Sequence, residues 1–358
     1  MSARVALVGL GWAGRELWLP RLREHTGYQV VAAVDADLAT RTAFAEATGI
    51  AVHPGVAALT AHTVDLAVVA VPNHLHADVA GALLAQGIDV FLEKPVCLTT
   101  AEADALAAAE RGGGTLLAGS AACHRADVQA LRRLLPGLGD IRHADLSWVR
   151  SRGVPRAGGW FTRRDQAGGG ALLDLGWHLL DTLAFLLGPA PFTQVTGVTS
   201  ADFVNAAAWR ATWRQDAPGA DTADVEDTAR GFLVRDDGVS VSLRAGWASH
   251  QARDVTRIRV EGSSGTAELR CTFGFSPNRE PEPVLTVTRE GTTTRIAVPS
   301  EPVGTEYRRQ LDALAALPDD AGRRGRAIAE ARPIVHAIER FYTAARSARP
   351  RRPAPAHP

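Results

Sequence analysis

The sequence predicts two units: an α/β domain built on a parallel sheet, then an α+β domain with a large, mainly antiparallel open sheet. Three observations carry this. A glycine-rich turn near the amino end joins a short aliphatic run to a helix-compatible segment. Strand-like and helix-like segments then alternate to about residue 120, and from residue 192 short β-like runs follow one another between turn residues. At 358 residues the chain exceeds what one core ordinarily holds, so domains are expected over 1–121 and 122–346, with a disordered tail at 347–358. Hydrophobic content of 46% with 22% charged residues describes an ordinary globular protein, and a formal net charge of zero gives no general pull toward nucleic acid or acidic membranes. Three cysteines without CxxC spacing suggest neither a disulfide framework nor a zinc site. No charged-then-apolar leader pattern opens the chain, and no apolar stretch approaches the roughly 20 residues that cross a bilayer. A soluble, cytoplasmic protein is expected.

Residues 4–8 form the first strand, which runs into Gly9-Leu10-Gly11-Trp12-Ala13-Gly14 and a helix reaching Pro20 and Arg21. Bare GxGxxG is a weak signal. Here a strand precedes it, a helix follows, and Asp35 closes the next strand, residues 30–34, about 20 positions on. Gly9 permits the tight turn, Gly11 lets backbone approach a pyrophosphate, and Gly14 lets helix and strand pack closely. This is the pattern of a Rossmann dinucleotide site. Asp35 accepts hydrogen bonds from a ribose 2′-hydroxyl and repels a 2′-phosphate, while Arg41 on the following helix softens that repulsion. NAD is favoured and NADP is left open. Residues 65–71, a helix over 76–86, a strand at 89–92, a helix over 99–110 and a strand at 115–119 complete a doubly wound sheet. Val71-Pro72-Asn73-His74-Leu75-His76 ends a strand, so its polar groups are expected to face the cofactor crevice. Its two histidines lack a third ligand, so no metal is expected.

Lys94 is the only lysine in the chain, within Glu93-Lys94-Pro95 at the carboxyl end of the strand over 89–92. A position that keeps Lys among arginines points to chemistry a guanidinium cannot supply, because an amine is compact and can exchange a proton. Open α/β sheets bind ligands at such strand ends.

Together, Gly9-Leu10-Gly11-Trp12-Ala13-Gly14, Val71-Pro72-Asn73-His74-Leu75-His76 and Glu93-Lys94-Pro95 resemble the Gfo/Idh/MocA oxidoreductases, relatives of glucose–fructose oxidoreductase and inositol 2-dehydrogenase. The resemblance spans nearly the whole chain to about residue 345. It implies that Lys94 lies beside the nicotinamide and the reacting hydroxyl, and it adds Trp12, Ala13, Pro72, Asn73, His76 and Glu93 to the cofactor-binding set.

In the second half, Cys123-His124-Arg125 opens a helix to about residue 135, and a strand runs over 139–148. Cys123 stands where the family often has asparagine; Arg125 is expected at the substrate. Gly168-Gly169-Gly170 then leads into an amphipathic helix with Asp174, His178 and Asp181 at i, i+4 and i+7, which predicts all three on one face. A carboxylate one turn from an imidazole can hold its tautomer and raise its basicity, suiting His178 to proton transfer. The family's second signature shares this layout and implies substrate-binding and proton-transfer roles for Asp174 and His178. Trp160-Phe161 and Arg163-Arg164 are expected to form a rim over the substrate. Strands follow over 192–198, 228–234, 239–247, 256–261, 266–271, 284–288 and 292–298. Residues 205–223 are irregular, and 307–317 and 326–346 read as closing helices, the last expected to pack back on the first domain.

The expected activity is reversible hydride transfer between nicotinamide and a secondary alcohol or ketone of a cyclitol or sugar, with Lys94, Asp174 and His178 catalytic. A nucleotide-sugar ketoreductase, an NAD-dependent glycosidase and a non-catalytic dinucleotide-binding regulator are the rivals. The resemblance also implies a homo-oligomer, dimer or tetramer, associating through the exposed face of the antiparallel sheet.

Overall fold

The computed structural model describes residues 2–212, 222–316 and 323–348. Part of the irregular segment at 205–223, residue 317 and the tail from residue 349 on lie outside them. Aliphatic runs that read as near-continuous hydrophobic segments become the buried strands of a parallel sheet. These are β1 (Ala3–Val8), β2 (Tyr28–Val34), β3 (Ala51–His53), β4 (Leu66–Val69), β5 (Asp89–Leu92) and β6 (Leu116–Ala118), in the order β3-β2-β1-β4-β5-β6. The direction of winding reverses between β1 and β4, the crevice where such sheets bind ligands. A π-helical turn, Ala13–Trp18, continues into α1 (Leu19–Glu24); α2 (Leu38–Thr48), α3 (His76–Ala85) and α4 (Thr100–Gly112) complete the unit. Asp37 and Thr99 cap α2 and α4 with their side-chain oxygens, as short polar residues ahead of an apolar run do.

After α5 (Ala126–Leu134), strands β7 (Ile141–Val149), β8 (Phe192–Ser200), β9 (Thr228–Arg235), β10 (Ser240–Gly246), β11 (Val255–Gly262), β12 (Gly265–Cys271), β13 (Val284–Arg289) and β14 (Thr292–Ile296) form the second sheet. Its order is β14-β13-β12-β11-β7-β10-β9-β8. Every pairing is antiparallel except β7 with β10, which run parallel. The chain leaves β7 through α6 (Arg164–Ala167) and a helix before β8 begins, so β10 arrives beside β7 in the same direction. Alternation along β10 turns Val241, Leu243 and Ala245 inward and leaves Ser240, Ser242 and Arg244 on the opposite face.

That inner face is covered by a π-helical turn, Leu172–Gly176, continuing into α7 (Trp177–Leu187). The run Arg164–Leu187 is long and apolar enough to cross a membrane, but most of it is buried in the core of this fold. After α8 (Thr305–Ala316), α9 (Arg326–Ser347) seats Phe341 on Gly197 of β8 and Gly231 of β9, where a Cβ would lie 2.2 Å from the ring. The same helix reaches α4 through Arg332–Asp104 and through Glu339, which accepts from Thr100 N at 3.2 Å. α8 lies on the first sheet, where Tyr28 donates to Leu311 O at 3.1 Å. One apolar cluster therefore runs from Val8 and Leu92 through Leu179 to Leu269, joining the two sheets.

Candidate active site

The glycine turn has the geometry its motif demands. Gly9 sits at φ +94°, and a Cβ there would lie 2.6 Å from Ala70 O; a Cβ at Gly14 would lie 2.0 Å from Gly9 O. At Gly11 nothing stands within 4 Å, which leaves room for a pyrophosphate to approach the backbone. Asp35 at the end of β2 accepts from Leu10 N at 2.8 Å and Asp37 N at 2.9 Å, so its carboxylate also shapes the loop. Arg41 donates to the carbonyls of Asp35 and Ala36 beside it. The residues fit a dinucleotide, with Gly9–Gly14 toward the phosphates and Asp35 toward a ribose. Ala13 begins the π-turn, and Trp12, 40% exposed, sets its indole 5.4 Å edge-on to Phe275 from the segment after β12.

Pro72 caps the next turn, but the polar side chains that follow it are committed to protein rather than to the crevice. Asn73, buried, donates to Ala167 O at 2.9 Å, and His74 lies 3.2 Å from Gln166 O, tying α6 to the end of β4. His76 places Nδ1 2.6 Å from Pro95 O and Nε2 2.9 Å from Val71 O. Burial lowers its pKa to about 4, so the neutral ring fastens the turn that carries Lys94. The Asn73 and His76 side chains, expected at the cofactor, here bond Ala167, Pro95 and Val71.

The Lys94–Pro95 bond is cis. Lys94 Nζ donates to Asp174 Oδ1 at 2.7 Å, and Trp247 Nε1 donates to the other oxygen, Oδ2, at 2.9 Å. Burial opposes the Asp174 charge, but Lys94, Arg150 and the hydrogen bond from Lys94 hold the carboxyl well below its usual range. The amine also stands 6.0 Å from the Phe161 ring centroid. On its other side Glu93 accepts from Lys94 N at 3.0 Å and from Trp18 Nε1 at 2.9 Å. Burial raises the Glu93 pKa, with Lys94 and the Trp18 indole pulling the other way.

His178 lies 5.5 Å from Trp148, ring to ring, in the field of Lys94, Asp174 and Arg150. Burial first, then Lys94 and Arg150, bring its pKa down to about 3, and Asp174 only partly offsets them. The expected rise in His178 basicity is therefore reversed. No hydrogen bond joins Asp174 to His178, because both carboxylate oxygens face Lys94 and Trp247. Asp181 does not join Asp174 and His178. The helix opens on a π-turn over Leu172–Gly176, outside the 3.6-residue phase, and Asp181 accepts from Ser120 Oγ at 2.5 Å, with Cys123 Sγ 3.8 Å away. Burial pushes the Asp181 carboxyl up to about 7.

Arg125 donates to both oxygens of Asp127 and lies 4.6 Å over Phe273; among the described residues no contact links it to Lys94, Asp174 or His178. Trp160 packs edge-on against Phe161, 5.0 Å between centroids. Sequence reasoning missed Trp18 and Trp247 as parts of the site, and marked Glu226 only as a position resembling the family, without a role. Glu226 accepts from Gly170 N, Leu172 N and Tyr342 Oη, fixing the start of the helix that bears Asp174. Trp18 and Trp247 carry no distinguishing sequence signal, and only the tertiary fold shows where their N–H groups point.

Fold and site together define an NAD(P)-dependent dehydrogenase or reductase. The description "Oxidoreductase family, NAD-binding Rossmann fold" matches residues 3–119, and "GFO/IDH/MocA C-terminal domain" matches residues 128–268. The chain belongs to the Gfo/Idh/MocA oxidoreductases. It is 75% identical, over 357 residues and the full length of both chains, to a protein of Amycolatopsis mediterranei (strain S699) provisionally named a UDP-kanosamine synthase oxidoreductase subunit. It is 29% identical over 275 residues to D-glucoside 3-dehydrogenase of Escherichia coli (strain K12), covering 74% of this chain and 76% of that one. Among solved structures, KijD10, a 3-ketoreductase from Actinomadura kijaniata in complex with NADP and TDP-benzene, superposes with TM-score 0.72 at 21% identity, covering 96% and 98% of the two chains. GenD2 from gentamicin A biosynthesis, in complex with NAD, gives TM-score 0.73 at 24% identity, covering 97% and 95%. These two likenesses concern the fold.

Proposed function

We propose that this enzyme oxidises a ring hydroxyl, or reduces the matching ketone, on a nucleotide-linked hexose, with a UDP-hexose as the leading substrate. The observation that carries this is the full-length 75% identity to a relative named for a UDP-sugar synthase, joined to an intact Lys94–Asp174 pair. A free cyclitol or sugar is the second reading, supported by the more distant D-glucoside 3-dehydrogenase.

When bound, the nicotinamide supplies or accepts the hydride. The chain's residues handle the proton and the alignment. Lys94, an ammonium on Asp174, donates a hydrogen bond to the reacting oxygen and exchanges its proton with it. His178, neutral, accepts from a hydroxyl and orients the ring. Asp174 holds Lys94 and is itself aimed by Trp247. Phe161 stands over the amine, backed by Trp160, and lowers the polarity on that side, which strengthens the charge interactions there.

The test is turnover with NAD and NADP against UDP-hexoses, free hexoses, inositols and their keto forms. UDP-hexose turnover that collapses in Lys94→Met supports the reading; turnover of free sugars alone overturns its substrate. Self-association through the outer sheet face belongs to the same proposal. There Arg230 and Arg244 lie directly opposite across β9 and β10, and among the described residues no carboxylate pairs with either. Like charges in that register are unfavourable until an acid meets them.

A further inference from the structure

Lys94 stands between two carboxylates, and each carboxylate carries an indole N–H on the oxygen that Lys94 does not use. Glu93 gives Oε2 to the Lys94 backbone and Oε1 to Trp18; Asp174 gives Oδ1 to the Lys94 amine and Oδ2 to Trp247. Both indoles are fully buried, and they come from different layers. Trp18 ends the π-turn that follows the glycine loop; Trp247 directly follows β10. We propose that Trp18 and Trp247 are positioning residues which act through Glu93 and Asp174 to keep the Lys94 amine aimed at the substrate.

The physical ground is what each carboxylate would lose. A buried carboxylate oxygen without a donor bears its full desolvation penalty, and the side chain relieves it by turning toward another donor. The Lys94 backbone held by Glu93, or the amine held by Asp174, then loses its fixed partner. Burial already opposes the Glu93 charge, and Lys94 and the Trp18 N–H counter it. The groups facing Glu93 are Lys94, Trp18 and Tyr307; those facing Asp174 are Lys94, Arg150, His178 and Trp247. Apolar packing alone does not account for the arrangement. Trp18 lies edge-on to Phe91 at 4.9 Å and Tyr307 at 5.7 Å, contacts a phenyl ring would also make, yet its one polar atom meets Glu93. The π-turns contribute to this register: each carries one of the side chains that meet the Glu93–Lys94 pair, Trp18 from the first and Asp174 from the second.

This inference rests on Lys94 as the working amine but not on the identity of the sugar, so its test needs no substrate. As the chain's only lysine, Lys94 gives a single side-chain signal in protein grown on lysine labelled with 13C at Cε. That signal is followed against pH in the untagged wild type, Trp18→Phe, Trp247→Phe, Glu93→Gln and the Trp18→Phe/Glu93→Gln pair, with circular dichroism confirming the fold. The Lys94 Cε signal is expected to leave its wild-type position in Trp18→Phe and in Trp247→Phe, because the carboxylate beside it has lost a donor that fixed it. Adding Trp18→Phe to Glu93→Gln moves it no further. Folded variants whose Lys94 signal matches the wild type overturn the proposal, as does an equal Trp18→Phe shift in the Glu93→Gln background. Should Trp18→Phe not fold, Trp247→Phe and Glu93→Gln decide the matter on the same signal.

Discussion

Replacing Asp181 by Asn should stabilise the protein at neutral and alkaline pH and leave it unchanged in acid. In the folded chain the Asp181 carboxyl is raised from 3.8 to about 7, with burial as the first cause and Glu330 adding to it. A group raised on folding contributes stability that is fully present below its unfolded pKa. That contribution is lost as pH climbs through its folded pKa. Between 3.8 and about 7 the native state therefore holds a proton that the unfolded chain has released. Each unit is about 1.4 kcal/mol, so a window of roughly three units sets a ceiling near 4 kcal/mol. The side chain retains some contact with solvent, which reduces the expected effect to about 2 kcal/mol. Asparagine cannot ionise, and its carbonyl oxygen can still accept from Ser120. Urea unfolding at pH 4, 6 and 8 gives the comparison. Wild type should lose stability relative to Asp181→Asn as pH rises, with the curves meeting near pH 4. Parallel curves, or a variant less stable at pH 8, would refute the linkage.

Four further outcomes follow from the site. Lys94→Met should lower kcat/KM by on the order of 10³ while cofactor affinity, read by fluorescence titration, stays within about threefold, since general acid–base groups contribute about 10²–10⁴. His178, held to about 3, is neutral across the physiological range; a pH–rate inflection near its ordinary value that disappears in His178→Gln would contradict this. Gly14→Ala puts a Cβ 2.0 Å from Gly9 O and should abolish dinucleotide binding in calorimetry and cost about 1–3 kcal/mol of stability. Arg230→Glu gives Arg244 an anion within the same chain. Self-association measured by sedimentation should then weaken at least about tenfold, with a smaller salt dependence than wild type.

Local chemistry was legible in the residues themselves. Gly9 and Gly14 declare their roles because backbone freedom and closeness leave no other residue type, and a lone lysine after a buried strand declares itself against thirty-odd arginines. The alternation of strands and helices likewise implies a parallel sheet, since parallel strands need a crossover between them. The second sheet was legible as antiparallel by its turns, but the parallel meeting of β7 and β10 depends on where a chain returns after about a hundred residues, which no local pattern encodes. Periodicity also failed in part where the helix opens on a π-turn: a 3.6-residue phase placed Asp174, His178 and Asp181 together, but Asp181 bonds Ser120 apart from the other two. Electrostatics belonged wholly to the tertiary structure. Asp174 lies one turn from His178, which by itself predicts a more basic imidazole. Burial and two cations brought in from elsewhere in the chain, Lys94 from the turn after β5 and Arg150 from beyond β7, reverse the sign. Composition and spacing thus determine which groups the site owns. Only the assembled fold decides which of them keep their charge, because that depends on neighbours far away in the chain.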